Sequence, residues 1–92
     1  MKIKIELGKR LRKSLRELPK HIIANLLDWV EEVEAKGLEE IRRLPGYHDE
    51  PLKGPWFGYR SIRLSRSYRA IYKEKEAEIK IIVVVEVNKH EY

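Results

Sequence analysis

Between Asp49 and Tyr72 the chain reads DEPLKGPWFGYRSIRLSRSYRAIY, and most of its chemistry-bearing side chains fall there. The carboxylate pair Asp49 and Glu50 is followed by Lys53 and by a turn punctuated with proline and glycine. Arg60, Arg63, Arg66 and Arg69 come next, with Lys73 one step beyond. Trp56, Phe57, Tyr59, Tyr68 and Tyr72 are interleaved with these cations. Cations neutralise phosphates and aromatic rings offer stacking faces, so the combination suits a polyanion that carries flat bases, RNA above all. An arginine presents a planar fork of donors to phosphate oxygens and stays charged at any working pH. Late in the chain, His90 adds a side chain that titrates near neutrality. His21 and His48 have no partners at metal-ligand spacing and there is no cysteine, so no metal site, thiolate nucleophile or cofactor is expected.

Elements able to position these groups can be read from periodicity. Ile3, Ile5 and Leu7 alternate with charged residues as in a half-buried strand. Gly8 allows a turn. Leu11, Leu15 and Leu18 then recur at helical spacing among Lys9, Arg10, Arg12, Lys13 and Arg16, a short helix with a basic exposed side. Pro19 ends it and suits the first turn of the next helix. From Lys20 to Lys36 one apolar stripe (Ile22, Ile23, Leu26, Leu27, Trp29, Val30, Val33) opposes Asp28, Glu31, Glu32 and Glu34, and Gly37 stands where a helix ends. Leu38, Ile41 and Leu44 add a further helical turn before Pro45-Gly46. The segment from Tyr47 to Pro55 reads as an extended or looped linker. Strands follow at Arg60–Leu64 and Tyr68–Lys73, with a turn expected over Glu74–Ala77. Ile79–Val87 is apolar on both faces in its middle, which predicts a central strand with Tyr68–Lys73 on one side and the first strand on the other. The expected fold is α+β: β-α-α-β-β-β, a twisted, mostly antiparallel four-stranded sheet with a helical hairpin packed on one face. Residues 1–92 form a single domain.

Ninety-two residues, 42% hydrophobic and 38% charged, describe a small globular domain with its charges outside. Net charge is +5, distributed as +6 over residues 1–20, −5 over 21–50 and +4 over 51–92. Two basic ends attract phosphate, in a manner weakened by salt. No apolar run approaches a membrane span and MKIKIEL has no signal-peptide core, so a cytoplasmic protein without a membrane partner is expected. The absence of cysteine accords with a reducing compartment.

Four fragments carry a family resemblance: EPLKG (Glu50–Gly54), SIRL (Ser61–Leu64), YRAIY (Tyr68–Tyr72) and VNKHEY (Val87–Tyr92). In this order, and in its succession of elements over the whole length, the chain resembles the RelE/ParE superfamily of toxin–antitoxin toxins. It is most similar to the RelE, YoeB and HigB types, which are ribonucleases, and less to the gyrase-poisoning ParE type. That resemblance implies an mRNA interferase acting in the ribosomal A site, with ribosome and mRNA as targets and a cognate antitoxin as inhibitor.

It also implies roles. Metal-free RNA cleavage needs a base for the 2′-hydroxyl, cations for the phosphorane and an acid for the leaving 5′-oxygen. Glu50 lies where YoeB-type chains carry their catalytic glutamate. By its neighbours alone a solvated loop carboxylate beside Asp49 is the favoured reading, and the resemblance puts the catalytic role ahead; RelE-type members use lysine-rich chemistry at this point. Arg69 in YRAIY is the implied clamp on the transition state, with Lys53 and Arg63 as supporting phosphate contacts. His90 is the implied acid. Tyr92 is left for base stacking or proton relay, although Glu91 intervenes where YoeB-type chains have His and Tyr adjacent. Arg60 and Arg66 are either contacts or ordinary solvated charges. The basic first helix either meets ribosomal RNA or only keeps the protein soluble. Trp56, Phe57 and Tyr59 either stack on bases or close a small core, and core is expected for at least one of them. Two other functions stay open: a ParE-like toxin that binds gyrase without cutting RNA, and an inactive remnant that still holds an antitoxin.

Overall fold

Alternation at the start of the chain produces strand β1 (Ile3–Leu7), the first element of a computed structural model that describes residues 3–77 and 79–89. Helix α1 (Lys9–Ser14) follows and tightens into a 3₁₀ turn at Leu15–Glu17. Pro19 then opens α2 (Lys20–Lys36). Gly37, at φ +90°, takes the backbone conformation that ends α2 and starts α3 (Leu38–Arg42). Its N–H donates to the Val33 carbonyl at 2.8 Å and its own carbonyl accepts from Ile41 at 3.3 Å. The remaining strands are β2 (Glu50–Pro51), β3 (Arg60–Arg63), β4 (Tyr68–Glu76) and β5 (Lys80–Lys89).

The sheet order is β1-β5-β4-β3-β2, and β1 pairs with β5 in parallel while every other pairing is antiparallel. The expected architecture is present, with β5 inside the sheet between β1 and β4. Two details differ from expectation. The sheet has five strands, because Glu50 and Pro51, read as linker, pair with Ser61 and Arg60. Two residues are too few to show alternation, and a proline at a sheet edge has no lost ladder bond to betray it. β4 also runs on to Glu76, through residues expected to turn, because Glu74 is held by Arg42 at 3.0 Å and by Lys80 at 3.1 Å.

One face of the sheet is covered by the helices. Ile22, Leu26, Trp29 and Val33 of α2, with Leu38 and Ile41 of α3, pack against Ile62, Ala70, Tyr72, Ile82, Val84 and Val87. Each fully buried large aliphatic side chain contributes about 1.5–3 kcal/mol, so this face sets the register of the sheet. Val84 and Val87 both reach the core although they are three residues apart, which a regular strand cannot arrange. The ladder resolves this with a bulge: Ile71 pairs with Glu86 and Tyr72 with Val84, leaving Val85 unpaired. Gly8 lies against it. Its N–H donates to the Val84 carbonyl at 2.7 Å, and a Cβ there would stand 3.3 Å from Val84 O and Val85 Cα, closer than a side chain sits comfortably.

Candidate functional site

The face of the sheet away from the helices carries the residues of interest. Arg69 on β4 is paired with Arg63 of β3 on one side and with Asn88 of β5 on the other. The bulge matters here. Counting by twos from Val84 would turn Glu86 and Asn88 toward the core; the extra residue turns them onto the Arg69 face.

Arg69 is held firmly, with its side chain only 13% exposed. Its Nε donates to Ser61 Oγ at 3.1 Å, and its Nη2 donates to the same oxygen at 2.8 Å and to the His48 carbonyl at 3.0 Å. Nη2 also lies 3.5 Å from Glu50 Oε1. Among the described residues Nη1 takes part in none of these contacts, so its two N–H donors point to no described partner. Glu50 is paired across from Ser61 and is 59% exposed, a carboxylate at the mouth of the site that solvent can reach. Around them lies a hollow of about 370 Å³, lined by polar Glu50, Ser61, Arg69 and Asn88 and apolar Leu52, Trp56 and Ile71.

A second layer fixes the approach to Glu50. The Asp49 carboxylate is 1% exposed and bound from several directions. Arg60 Nε donates to Oδ1 at 2.6 Å, the Tyr72 hydroxyl donates to Oδ2 at 2.5 Å, and Arg42 Nε stands 3.8 Å from Oδ1. Arg42 in turn donates to the Tyr72 hydroxyl at 3.3 Å and to Glu74 at 3.0 Å. Burial, then the hydrogen bond to Asp49 and the charge of Asp49, push the Tyr72 hydroxyl far above its ordinary value, so it remains a donor. Just before Asp49, His48 sits at φ +47°, a left-handed conformation rare outside glycine, and its carbonyl is the one that receives Arg69. The link between α3 and β2 is thus anchored on the core face by Asp49, and presents a backbone acceptor and Glu50 to Arg69 on the other.

Glu50 and Arg69, paired in the sequence argument, are in contact. His90 and Tyr92 lie outside the described residues; Asn88, two positions before His90, lines the hollow. Lys53 is exposed, precedes the 3₁₀ turn Gly54–Trp56 and is not part of the hollow's lining. Arg63 is not brought into it either. Two cations opposite one another on a sheet repel, and Arg63 lines a different hollow of about 420 Å³ with Asp28, Glu32 and Tyr47. There the Tyr47 hydroxyl donates to Glu32 at 2.8 Å, and burial together with the Glu32 and Asp28 charges pushes it up to about 12. Arg60 is a structural partner of Asp49. The expectation that one of Trp56, Phe57 and Tyr59 belongs to the core is not met. Trp56 and Phe57 are 36% and 83% exposed, Tyr59 is half-buried, and none of the three belongs to the core cluster. Trp56 and Tyr59 instead stack edge to face, centroids 5.1 Å apart at 85°, with the Lys73 ammonium 5.6 Å from the Tyr59 centroid. A larger hollow of about 680 Å³ lies where α2 meets α3, lined by Glu34, Glu39 and Glu40 as well as Lys36 and Arg43, a mixed-charge rim poorly suited to a polyanion.

Sequence reasoning assigned no role to Ser61 or Asn88, and noted Asp49 only as one of a carboxylate pair with Glu50. Ser61 carried a signal as a small polar residue inside an otherwise bulky strand.

No family model and no curated protein matches the chain. Solved structures do. A chain of the DinJ–YafQ toxin–antitoxin complex from E. coli has TM-score 0.73 at 20% identity, over 98% of this chain and 94% of that one. A chain of the archaeal RelE–RelB complex from Pyrococcus horikoshii has TM-score 0.70 at 23% identity, over 97% and 96%. The YoeB–YefM complex from Staphylococcus aureus contains a third, at TM-score 0.66 and 17% identity over the full length of both chains. This is the fold that the four sequence fragments implied.

Proposed function

We propose that this chain, with the fold shared by chains of the YafQ, RelE and YoeB complexes, is the toxin of a type II toxin–antitoxin system. On this reading it is an endoribonuclease that cuts mRNA on the ribosome without a metal ion and is neutralised by a cognate antitoxin. The observation that carries the reading is the Arg69 guanidinium, oriented by Ser61 and the His48 carbonyl with Glu50 3.5 Å away at the mouth of a hollow. A fixed cation beside a solvent-reachable carboxylate supplies two of the three groups that metal-free cleavage of RNA uses, the base and the cation for the phosphorane.

The steps follow from those positions. Glu50 takes the proton of the 2′-hydroxyl, and the 2′-oxygen attacks the adjacent phosphorus. The Arg69 fork binds the charge that gathers on the phosphorane oxygens, using a donor set that needs no reorganisation. The bond to the 5′-oxygen breaks, and His90 supplies its proton, leaving a 2′,3′-cyclic phosphate and a 5′-hydroxyl end. Asn88, two residues from His90 in the chain, lines the same hollow, which supports the assignment. Lys53 and Arg63 contact flanking phosphates and Tyr92 stacks on a base or relays a proton.

Expression in a translating extract tests this. Ribosome-bound message is expected to be cut and free RNA left intact, with Arg69→Ala folded but inactive. Unchanged cutting by Arg69→Ala would remove the mechanism. Intact message beside cleaved DNA trapped on gyrase would move the assignment to a ParE-like toxin.

A further inference from the structure

We propose that the hollow beside Arg69 is a nucleobase pocket, in which a base stacks on Trp56 and Asn88 reads its edge, favouring bases with an exocyclic amino group over uracil. The proposal deepens the ribonuclease reading and rests on it for the claim that the ligand is RNA. A site that held phosphate alone would need only a polar lining. This one is lined by apolar Trp56, Leu52 and Ile71 as well as by Glu50, Ser61, Arg69 and Asn88. A nucleotide likewise joins apolar and charged parts, a flat ring at one end and an anion at the other.

Trp56 is prepared for the role. Its indole is partly exposed, yet it is not adrift: Tyr59 meets it edge to face, and Lys73 sits near the other ring of the pair. A ring already fixed loses little freedom when a base lies on it.

The base preference comes from Asn88. Its Nδ2 donates to Glu86 Oε2 at 2.6 Å. An ionised carboxylate only accepts, so that contact fixes which end of the amide is nitrogen and leaves Oδ1 as an acceptor. On this reading Glu50 serves the 2′-hydroxyl, Ser61 Oγ is held by Arg69 and the Arg69 donors serve phosphate, which leaves Asn88 Oδ1 to read the base. An acceptor of this kind complements the amino groups of adenine, cytosine and guanine, whereas uracil presents two carbonyl oxygens and a single ring N–H.

The chain has two tryptophans, and Trp29 is fully buried, so fluorescence can be made to report Trp56. In a Trp29→Phe background, nucleoside 3′-monophosphates and inorganic phosphate are titrated separately. If that background does not fold, acrylamide quenching of the unmodified protein isolates the accessible indole. The four nucleotides are expected to quench Trp56, and phosphate to compete with them without quenching. Uridine monophosphate is expected to bind about tenfold more weakly than the amino-bearing nucleotides, and Asn88→Ala to remove that gap. Equal quenching by phosphate, equal binding of uridine, or unchanged nucleotide binding by Trp56→Leu would each overturn the proposal. So would quenching by a partner protein and by no nucleotide, which would assign the surface to protein docking. Cleavage that persists with uridine bound as well as adenosine overturns the pocket alone. A base preference in a protein that cuts nothing upholds the pocket and overturns the ribonuclease reading.

Discussion

Asp49→Ala is the substitution with the widest consequences. It removes a carboxylate that is 1% exposed and leaves Tyr72, itself fully buried, without the acceptor of its hydroxyl. An unsatisfied buried donor costs about 1–3 kcal/mol. Arg60 and Arg42 lose an anionic partner too, but their side chains are a quarter or more exposed and rehydrate, so their loss adds only about 1 kcal/mol. The sum is about 3 kcal/mol, a large share of the roughly 5–15 kcal/mol that holds a domain together. At about 4–8 °C per kcal/mol for a domain of this size, Tm should fall by about 12–24 °C. Urea unfolding followed by Trp29 fluorescence is the assay, because that indole lies 5.3 Å from the Tyr72 ring. In the double variant Asp49→Ala/Tyr72→Phe the orphaned hydroxyl is gone, so the two losses should overlap by about 1–2 kcal/mol. A single-variant loss below about 1 kcal/mol, or strict additivity in the double variant, would refute the claim that Asp49 is anchored by a coupled network.

The remaining predictions concern neighbouring groups. Ser61→Ala should cost about 1–3 kcal/mol, because largely buried Arg69 donors lose their acceptor. It should also lower cleavage by about tenfold to a hundredfold, since it frees the guanidinium without removing it; rates measured with ribosome-bound message on the folded variant decide this, and wild-type turnover would count against an orienting role. Tyr47 titrates higher when folded, so its contribution is complete below its ordinary value of 10.0 and is lost as pH rises through about 12. Tyr47→Phe should therefore flatten the alkaline fall in Tm. For Glu74, burial raises the pKa, but hydrogen bonds from Lys80 and Arg42 outweigh it and hold the carboxyl below its ordinary 4.5. Its contribution is present above that value and is lost as pH falls through the depressed one, so Glu74→Gln should show a smaller acid-side loss in urea midpoints.

The features legible in the sequence were those that repeat. Ile3, Ile5 and Leu7 announced a strand, the stripe from Ile22 to Val33 announced α2, and the apolar run after Ile79 announced the strand between β1 and β4. Arg69 and Glu50 were legible as a pair only because their fragments resemble a family; spacing of 19 residues says nothing about distance across a sheet. What stayed hidden has a common cause. The bulge at Val85 leaves no mark in IKIIVVVEV, because valine suits a regular and an irregular position equally, yet that one residue decides that Asn88 faces Arg69. The burial of Asp49 was hidden as well, since its partners Arg42, Arg60 and Tyr72 come from three separate elements and a carboxylate beside Glu50 reads as solvated. The cluster Trp56, Phe57 and Tyr59 was expected to give at least one residue to the core because aromatics at a hairpin often close one, yet none of the three joins the buried cluster.

The parallel pairing of β1 with β5 sets an order on folding. Ile3 to Leu7 find their hydrogen-bond partners at Lys80 to Val84, so the first strand synthesised waits, one edge unsatisfied, for most of the chain to be made. The helices and the β3–β4 hairpin can form from near neighbours, but closing β1 onto β5 spans nearly the whole sequence, and such non-local closure is slow. The bulge that carries Asn88 sits at the end of that same pairing, with Gly8 against it. A nascent chain therefore acquires its helices early and its complete site late.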